Sequence, residues 1–281
     1  MQEVNSSLSS PRPYGLRNLR RSAWQLLALP FLLFLAIPLL AIFLRLSPAD
    51  FWTALRKPET LQAIQLSLVT SLASVLVTIL FGTPVAYLLY RPRSFLSRLL
   101  DTLVDLPTVL PPAVAGVALL MAFGRGGLLG GVFQFFGIQI PFTTAAVILA
   151  QTFISSPLYI RSAALGFAAV DCELKKSAAL DGATRWQVCR YILFPLSWMP
   201  MLSGSVLAWG RALGEFGATI LFAGNFPGRT QTMPLAIYIG FEIDINIALT
   251  LSAILVCFSV QILGLVKRAL REAPLTLADD D

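Results

Sequence analysis

The 281-residue sequence contains no histidine and only three cysteines, Cys172, Cys189 and Cys257. The missing histidine removes the commonest general base and the commonest metal ligand. The cysteines show no C-x-x-C spacing and are odd in number, which argues against a disulfide framework. They are also too scattered to build a zinc site unaided. No catalytic residue and no metal site is therefore expected. Charge is scarce as well, at 13% of residues against about 25% in a soluble domain. Hydrophobic residues reach 56% and fall in long runs. This composition points to an all-α, polytopic membrane protein with short connections. The net charge of +6 comes from short basic clusters between apolar runs, as membrane topology requires. Membrane lipid is thus an expected partner and nucleic acid is not.

About six runs are long enough to cross a bilayer: Trp24 to Leu44, Ala63 to Tyr90, Asp101 to Phe123, Thr143 to Phe167, Pro195 to Phe222 and Ile247 to Val266. The first spans roughly 31 Å at 1.5 Å per residue, about one hydrocarbon core. It is too long for a signal-peptide core, and no small-residue cleavage site follows it. Pro30 and Pro38 are expected to bend it. The second is rich in hydroxyls (Ser67, Thr70, Ser71, Ser74, Thr78), which can bond back to their own helix. The third contains Pro107, Pro111 and Pro112, so its first turns are expected to be irregular. Asp101 and Asp105 read as carboxylates complementing the dipole at its N-terminus. Residues 1–22 read as a disordered cytoplasmic tail, 23–270 as the membrane domain and 271–281 as a short cytoplasmic tail.

Basic residues set the orientation. With the N-terminus inside, fourteen fall on the cytoplasmic side, in the clusters Arg12–Arg21, Arg91–Arg98, Lys175–Arg190 and Lys267–Arg271. Five fall outside: Arg45, Arg56, Lys57, Arg125 and Arg229. The bias places both termini in the cytoplasm. Arg161 and Arg211 lie inside spans, and Arg161 is expected to snorkel to the headgroups.

The connection between the fourth and fifth spans, Asp171 to Phe194, is not a plain loop. Leu174, Ala178 and Leu180 lie near helical spacing, Asp181-Gly182 is a break, and Thr184 is placed to cap a second helix. Two short helices joined at Gly182 are expected. Ser177, Ala178 and Ala179 form a small-residue tip that can enter a partner's groove. An amphipathic segment lying on the membrane fits the same pattern.

The stretch "KSAALDGATRWQVCRYILFPL" resembles the cytoplasmic "EAA" loop of ATP-binding cassette importer permeases. Ser177 and Ala178 fall on the two alanines, Gly182 on the glycine, Ile192 on the isoleucine and Pro195 on the proline. Lys176 stands where the family often has Glu, and Phe194 where it has Leu. "GRALGEFGATILFAGNFPGRTQTMPLAIY", Gly210 to Tyr238, resembles the fifth span and following outer loop of molybdate and sulfate permeases. "LPTVLPPAVAGVALLMAFGRGGLLG", Leu106 to Gly130, resembles their third span. The resemblance covers roughly Leu61 to Ala269 and leans toward the molybdate and tungstate members. It implies a bacterial inner-membrane permease in which two such chains, as a homodimer, form a pore. Separate cytoplasmic ATPase subunits would bind ATP and magnesium, and an extracytoplasmic binding protein would deliver a tetrahedral oxyanion. It also implies that Lys176, Ser177, Ala178, Ala179, Gly182, Ala183 and Pro195 form the loop that meets the ATPase. The sequence has no G-x-x-x-x-G-K-[ST] phosphate loop, so no cofactor is expected on this chain and ATP hydrolysis must come from a partner.

Arg211 and Glu215, spaced i and i+4, share a face of the expected fifth span. Arg211 can line the anion path, or the two can form an internal pair that locks packing. Thr108, beside the prolines of the third span, is a candidate for neutral anion contact at a broken helix. Gly210, Gly214 and Ala218 form a small-xxx-small series for close helix packing. A molybdate or tungstate permease is the favoured reading, with a sulfate or thiosulfate permease as the alternative within the class. A self-sufficient secondary transporter would need inverted repeats and ionisable relays. A membrane enzyme would need convergent catalytic groups.

Overall fold

The structure, a computed structural model, describes residues 14–90 and 95–272, and within these the side chains of 27–90, 95 and 97–268. Arg12, Arg91 and Arg93 of the topogenic clusters and most of the expected C-terminal tail lie outside the described residues. Among the described residues the chain is helical, with no strand. It divides at Ser47–Pro48 into two units.

The first unit holds α1 (Tyr14–Arg45), which continues through Pro30 and Pro38. It begins inside the segment expected to be a tail. No Gly or Pro interrupts Leu16 to Leu29, so the apolar helix propagates backward through good helix formers. Its stretch Leu27–Arg45 has a mean hydropathy of 2.8. Nearly every side chain there is exposed on all sides of the helix, a surface that only lipid or protein solvates favourably.

The second unit opens with α2 (Pro48–Leu55) and the long α3 (Pro58–Leu89), then α4 (Phe95–Val109) and α5 (Pro112–Phe123). A short α6 (Gly130–Phe135) precedes α7 (Thr144–Ala169) and α8 (Cys172–Leu180). Next come α9 (Arg185–Val188), a π-helical turn (Cys189–Leu193), α10 (Phe194–Leu196), α11 (Trp198–Leu213) and α12 (Gly217–Phe222). The chain closes on α13 (Met233–Ile243) and α14 (Ile245–Glu272). Leu27–Arg45, α3 and Ile245–Arg268 are each apolar and long enough to cross a membrane alone. Three further candidates are bent pairs, which raise the number of crossings to as many as six.

Two of the expected spans are reshaped. The third is not one helix: α4 and α5 meet at 120°. Pro111 and Pro112 both lack a donor, and Pro112 serves as the first residue of α5, so the chain reverses there rather than continuing. The fifth ends at Leu213 and restarts as α12 at Gly217. The outer loop expected after it contains α13, which packs on α3 and α14.

The interior centres on α7, whose largest interfaces are with α3 and α11. Ser74 pairs with Thr152, and Thr83 shares a 2.5 Å hydrogen bond with Tyr159, so α3 and α7 run in the same direction. The hydroxyls of α3 do more than bond to their own helix. Ser67 Oγ accepts from the Met233 amide at 2.7 Å, Ser71 Oγ from Trp209 Nε1 at 3.0 Å, and Ser74 Oγ from Thr152 at 3.2 Å. Such bonds between membrane helices contribute about 0.6–2 kcal/mol each. Close approach is set by small residues: a Cβ on Gly204 would sit 2.5 Å from Ser162 Cβ, which brings α11 against α7.

Candidate functional site

The α8–α9 elbow is built from its caps. Asp171 opens α8 by accepting from the Glu173 amide at 2.8 Å. The helix closes with the Ala183 amide on the Ala178 carbonyl at 2.9 Å and the Gly182 amide on Ala179 at 3.2 Å. This pattern requires a left-handed residue after the cap, and Gly182, at φ +86°, supplies it. Thr184 then starts α9 in a reciprocal capping box with Gln187, which satisfies two amides that the helix start would leave unpaired. The two helices joined at Gly182 and the Thr184 cap are as the sequence indicates. A widened π turn carries the chain past Pro195, whose missing N–H interrupts the regular ladder. The Phe194 amide bonds instead to the Cys189 carbonyl.

The elbow turns 67° away from α7 on one side and 69° into α11 on the other. Lys176, Ser177, Ala179, Gly182 and Pro195 are exposed, and Ala178 and Ala183 are half-buried. Leu180 is 88% and Trp186 67% exposed, so two large apolar side chains project beside the small residues, among the exposed charges of Glu173, Lys176, Asp181 and Arg185. Lys175 faces inward. Its buried ammonium donates to the Val170 carbonyl and lies 5.8 Å over the Tyr90 ring, so it anchors α8 to the end of α7. Sequence reasoning grouped it with the topogenic charges. The signal that could have set it apart is its position five residues after Val170, the last apolar residue before Asp171.

Arg211 and Glu215 do pair, with Nη1 to Oε2 at 2.9 Å. They do so across the end of α11 rather than along one helix. Glu215 is 1% exposed, and its other oxygen accepts from the Ala218 amide at 2.9 Å, holding the first turn of α12. Arg211 is 37% exposed. A unit positive charge here is largely offset by the carboxylate beside it. The series Gly210, Gly214 and Ala218 is split by the same break, so it does not form one packing face. Gly210 faces Ile262 of α14, and Ala218 backs onto Gly116 of α5, where an added Cβ would come within 2.8 Å of the Ala218 carbonyl. Gly214 is exposed. Thr108 is exposed on the last turn of α4 and donates back to the Asp105 carbonyl at 2.7 Å.

Arg161 does not reach for the headgroups. Its Nε donates to Asp105 Oδ1 at 2.7 Å, Nη2 to Asp105 Oδ2, and Nη1 to Asp101 Oδ1. Asp101 and Asp105 lie in the middle of α4, which starts six residues earlier than expected. They therefore clasp α7 instead of capping a helix. A planar guanidinium gripping a carboxylate with two parallel bonds is the geometry that best overcomes the desolvation of both charges. The triad carries a net charge of −1 and is one-third to one-half exposed.

At the other end, Lys57 pairs with Asp244 in the break between α13 and α14. The Lys57 hydrogen bond holds the Asp244 carboxyl below its ordinary value, helped by the Asn246 and Ile247 amides and opposed by partial desolvation. A cavity of about 460 Å³ beside them is lined by Glu59, Gly240 and Ile243 among others. Among the described residues, no group of three or more Cys, Asp or Glu side chains is placed to hold a metal.

Comparison with known proteins places this architecture. Residues 78–268 match the family described as binding-protein-dependent transport system inner membrane component. Over 229 residues the chain is 43% identical to the molybdenum transport system permease protein ModB of Mycobacterium bovis, covering 82% of this chain and 87% of that protein. Over 215 residues it is 42% identical to a probable transport system permease protein NifC of Clostridium pasteurianum, covering 76% and 75%. Its fold is like that of a solved bacterial ABC transporter involved in the import of the acidic polysaccharide alginate, with a TM-score of 0.70 at 18% identity over 92% of this chain and 97% of that one. The apolar helices, the capped elbow between α7 and α11 and the matched residues agree: this chain belongs to the family of inner-membrane components of binding-protein-dependent transport systems.

Proposed function

We propose that the chain is the membrane-spanning subunit of an ATP-driven importer of a tetrahedral oxyanion, molybdate first and tungstate with it. The observation that carries the reading is the α8–Gly182–α9 elbow. It is exposed, projects Leu180 and Trp186, and is capped at both helices. It is tied to α7 by Lys175 and continuous with α11. A push on such an elbow reaches two packed helices without being lost in a flexible loop. The choice of molybdate is supported by the relatives named as molybdenum permeases.

In this reading Lys176, Ser177, Ala178, Ala179, Gly182, Ala183 and Pro195 form the contact with a cytoplasmic ATPase subunit, which would bind ATP and magnesium. A second copy of this chain completes the pore, and an extracytoplasmic binding protein delivers the anion. The termini lie in the cytoplasm of a bacterial cell. ATPase closure moves the elbows, and the spans switch between inward-open and outward-open states. Arg211 offers its donors at the end of α11 while Glu215 cancels most of its charge. This suits a path that must pass a dianion without retaining it. Thr108, at the α4–α5 reversal, adds a hydroxyl.

Uptake in cells holding the intact system, competed with molybdate, tungstate and sulfate, tests the substrate. Strong competition by molybdate and tungstate with little by sulfate is expected. Preferential competition by sulfate would move the chain to the sulfate class. Uptake by the lone chain in liposomes would reject the ATP-driven mechanism in favour of a secondary transporter.

A further inference from the structure

A cavity of about 320 Å³ lies between the end of α3 and the underside of the α8–α9 elbow. One wall is aromatic. The Tyr87 and Tyr90 rings lie 5.4 Å apart, and Phe167 packs edge-on against both. Lys175 and Arg185 bring two cations to the lining, and among the described residues no carboxylate lines it. Helix ends carry partial charge as well. The carbonyl ends of α3 and α7 each count for roughly half a negative charge, and the two cations offset them. Lys175 already meets one of those ends through the Val170 carbonyl. Arg185 stands at the first residue of α9, exposed.

Position narrows the ligand. The apolar run of α3 ends at Tyr90, and tyrosines at span ends mark the level of the lipid headgroups. The cavity is near the lower limit for small-molecule sites, about 300 Å³, which admits a phosphate and a glycerol unit but not acyl chains. Beside it the α3 surface is apolar and exposed, as at Leu88. A phosphate ester at this depth with a hydrocarbon surface alongside has the chemistry of a phospholipid.

We infer that this cavity seats the phosphodiester headgroup of an anionic phospholipid. Arg185 supplies the exposed charge, with the Lys175 ammonium behind it, and the Tyr87 hydroxyl supplies a donor. The occupant would touch Ala179 and Ala183 from the cavity side, opposite the face that Leu180 and Gly182 would present to the ATPase, so lipid binding would brace the elbow against α3.

Native mass spectrometry of the full-length chain, purified from membranes with whatever subunits accompany it, tests this. Phosphatidylglycerol and phosphatidylcholine are added in parallel. Retention of phosphatidylglycerol over phosphatidylcholine is expected. Arg185→Gln should weaken that retention by about fivefold, the effect of one interfacial cation. Arg190→Gln, whose guanidinium stacks on Tyr191 away from the cavity, should leave it unchanged. Inorganic phosphate at millimolar concentration should not displace the lipid. Equal retention of the two lipids, an Arg185→Gln variant that binds like the parent, or displacement by inorganic phosphate would each overturn the assignment.

Discussion

Arg211 donates to the Oε2 of Glu215 at 2.9 Å across the end of α11, while the other oxygen of Glu215 holds the Ala218 amide of α12. One buried carboxylate thus joins two helices that the sequence pattern runs together. Glu215→Ala removes both bonds and leaves the arginine facing a gap. Losing one partner of a fully buried pair costs about 3–5 kcal/mol. Arg211 is more than a third exposed, so about 2 kcal/mol is expected here, read as a lower melting temperature in detergent. Arg211→Ala should cost less, because Glu215 keeps the Ala218 amide.

The Arg161 clasp makes an ordered prediction. Asp105 receives two parallel bonds and Asp101 a single side-chain bond. Asp105→Asn should therefore destabilise more than Asp101→Asn. A double-mutant cycle of Arg161→Gln with Asp105→Asn should return a coupling of about 1–3 kcal/mol. A coupling near zero would show that the clasp does not hold α4 to α7.

Asp244 gives the protein an acid-sensitive contact at the opposite end. Its folded-state pKa is held below the ordinary 3.8, chiefly by Lys57. A depressed carboxyl stabilises the fold at all pH above its unfolded value, and the contribution falls away as pH drops through the folded value. Melting temperature measured from pH 6 downward should decline below about pH 4. Lys57→Gln should flatten that part of the decline. An identical acid profile in the variant would remove Lys57 as its cause.

Gly182 lies in the left-handed region with open space around the position of a Cβ. The cost of a side chain there is conformational, about 1–2 kcal/mol, and local. Gly182→Val should insert normally but lose most ATP-driven uptake, because the elbow no longer closes on its caps. Gly131→Ala, also in open space but helical, is the matched control and should be silent. Full uptake by Gly182→Val would detach the elbow from coupling.

The sequence made the long apolar helices, the Gly182 elbow and the Thr184 cap legible, because periodicity and capping are local. It also placed Arg211 and Glu215 together. It did not reveal that α11 stops between them, since Gly214 and Glu215 are tolerated inside helices and only the Ala218 amide exposes the break. Asp101 and Asp105 were legible as carboxylates near a helix start, yet α4 begins at Phe95, outside the apolar run. Their partner lies 56 residues or more away, beyond any local pattern. The hydroxyls at Ser67, Ser71 and Ser74 follow helical spacing, so their common face could be read. What each one meets could not.

Those three serines have a mechanical consequence. Each fixes α3 to a different neighbour: Ser67 to the first turn of α13, Ser71 to α11, and Ser74 to α7. An axial slide of α3 would have to break all three bonds together. Tilting the four helices as one block breaks none. The polar rungs of α3 act as a keyway: they disfavour sliding and leave rigid rocking of the packed helices as the motion that costs no hydrogen bond.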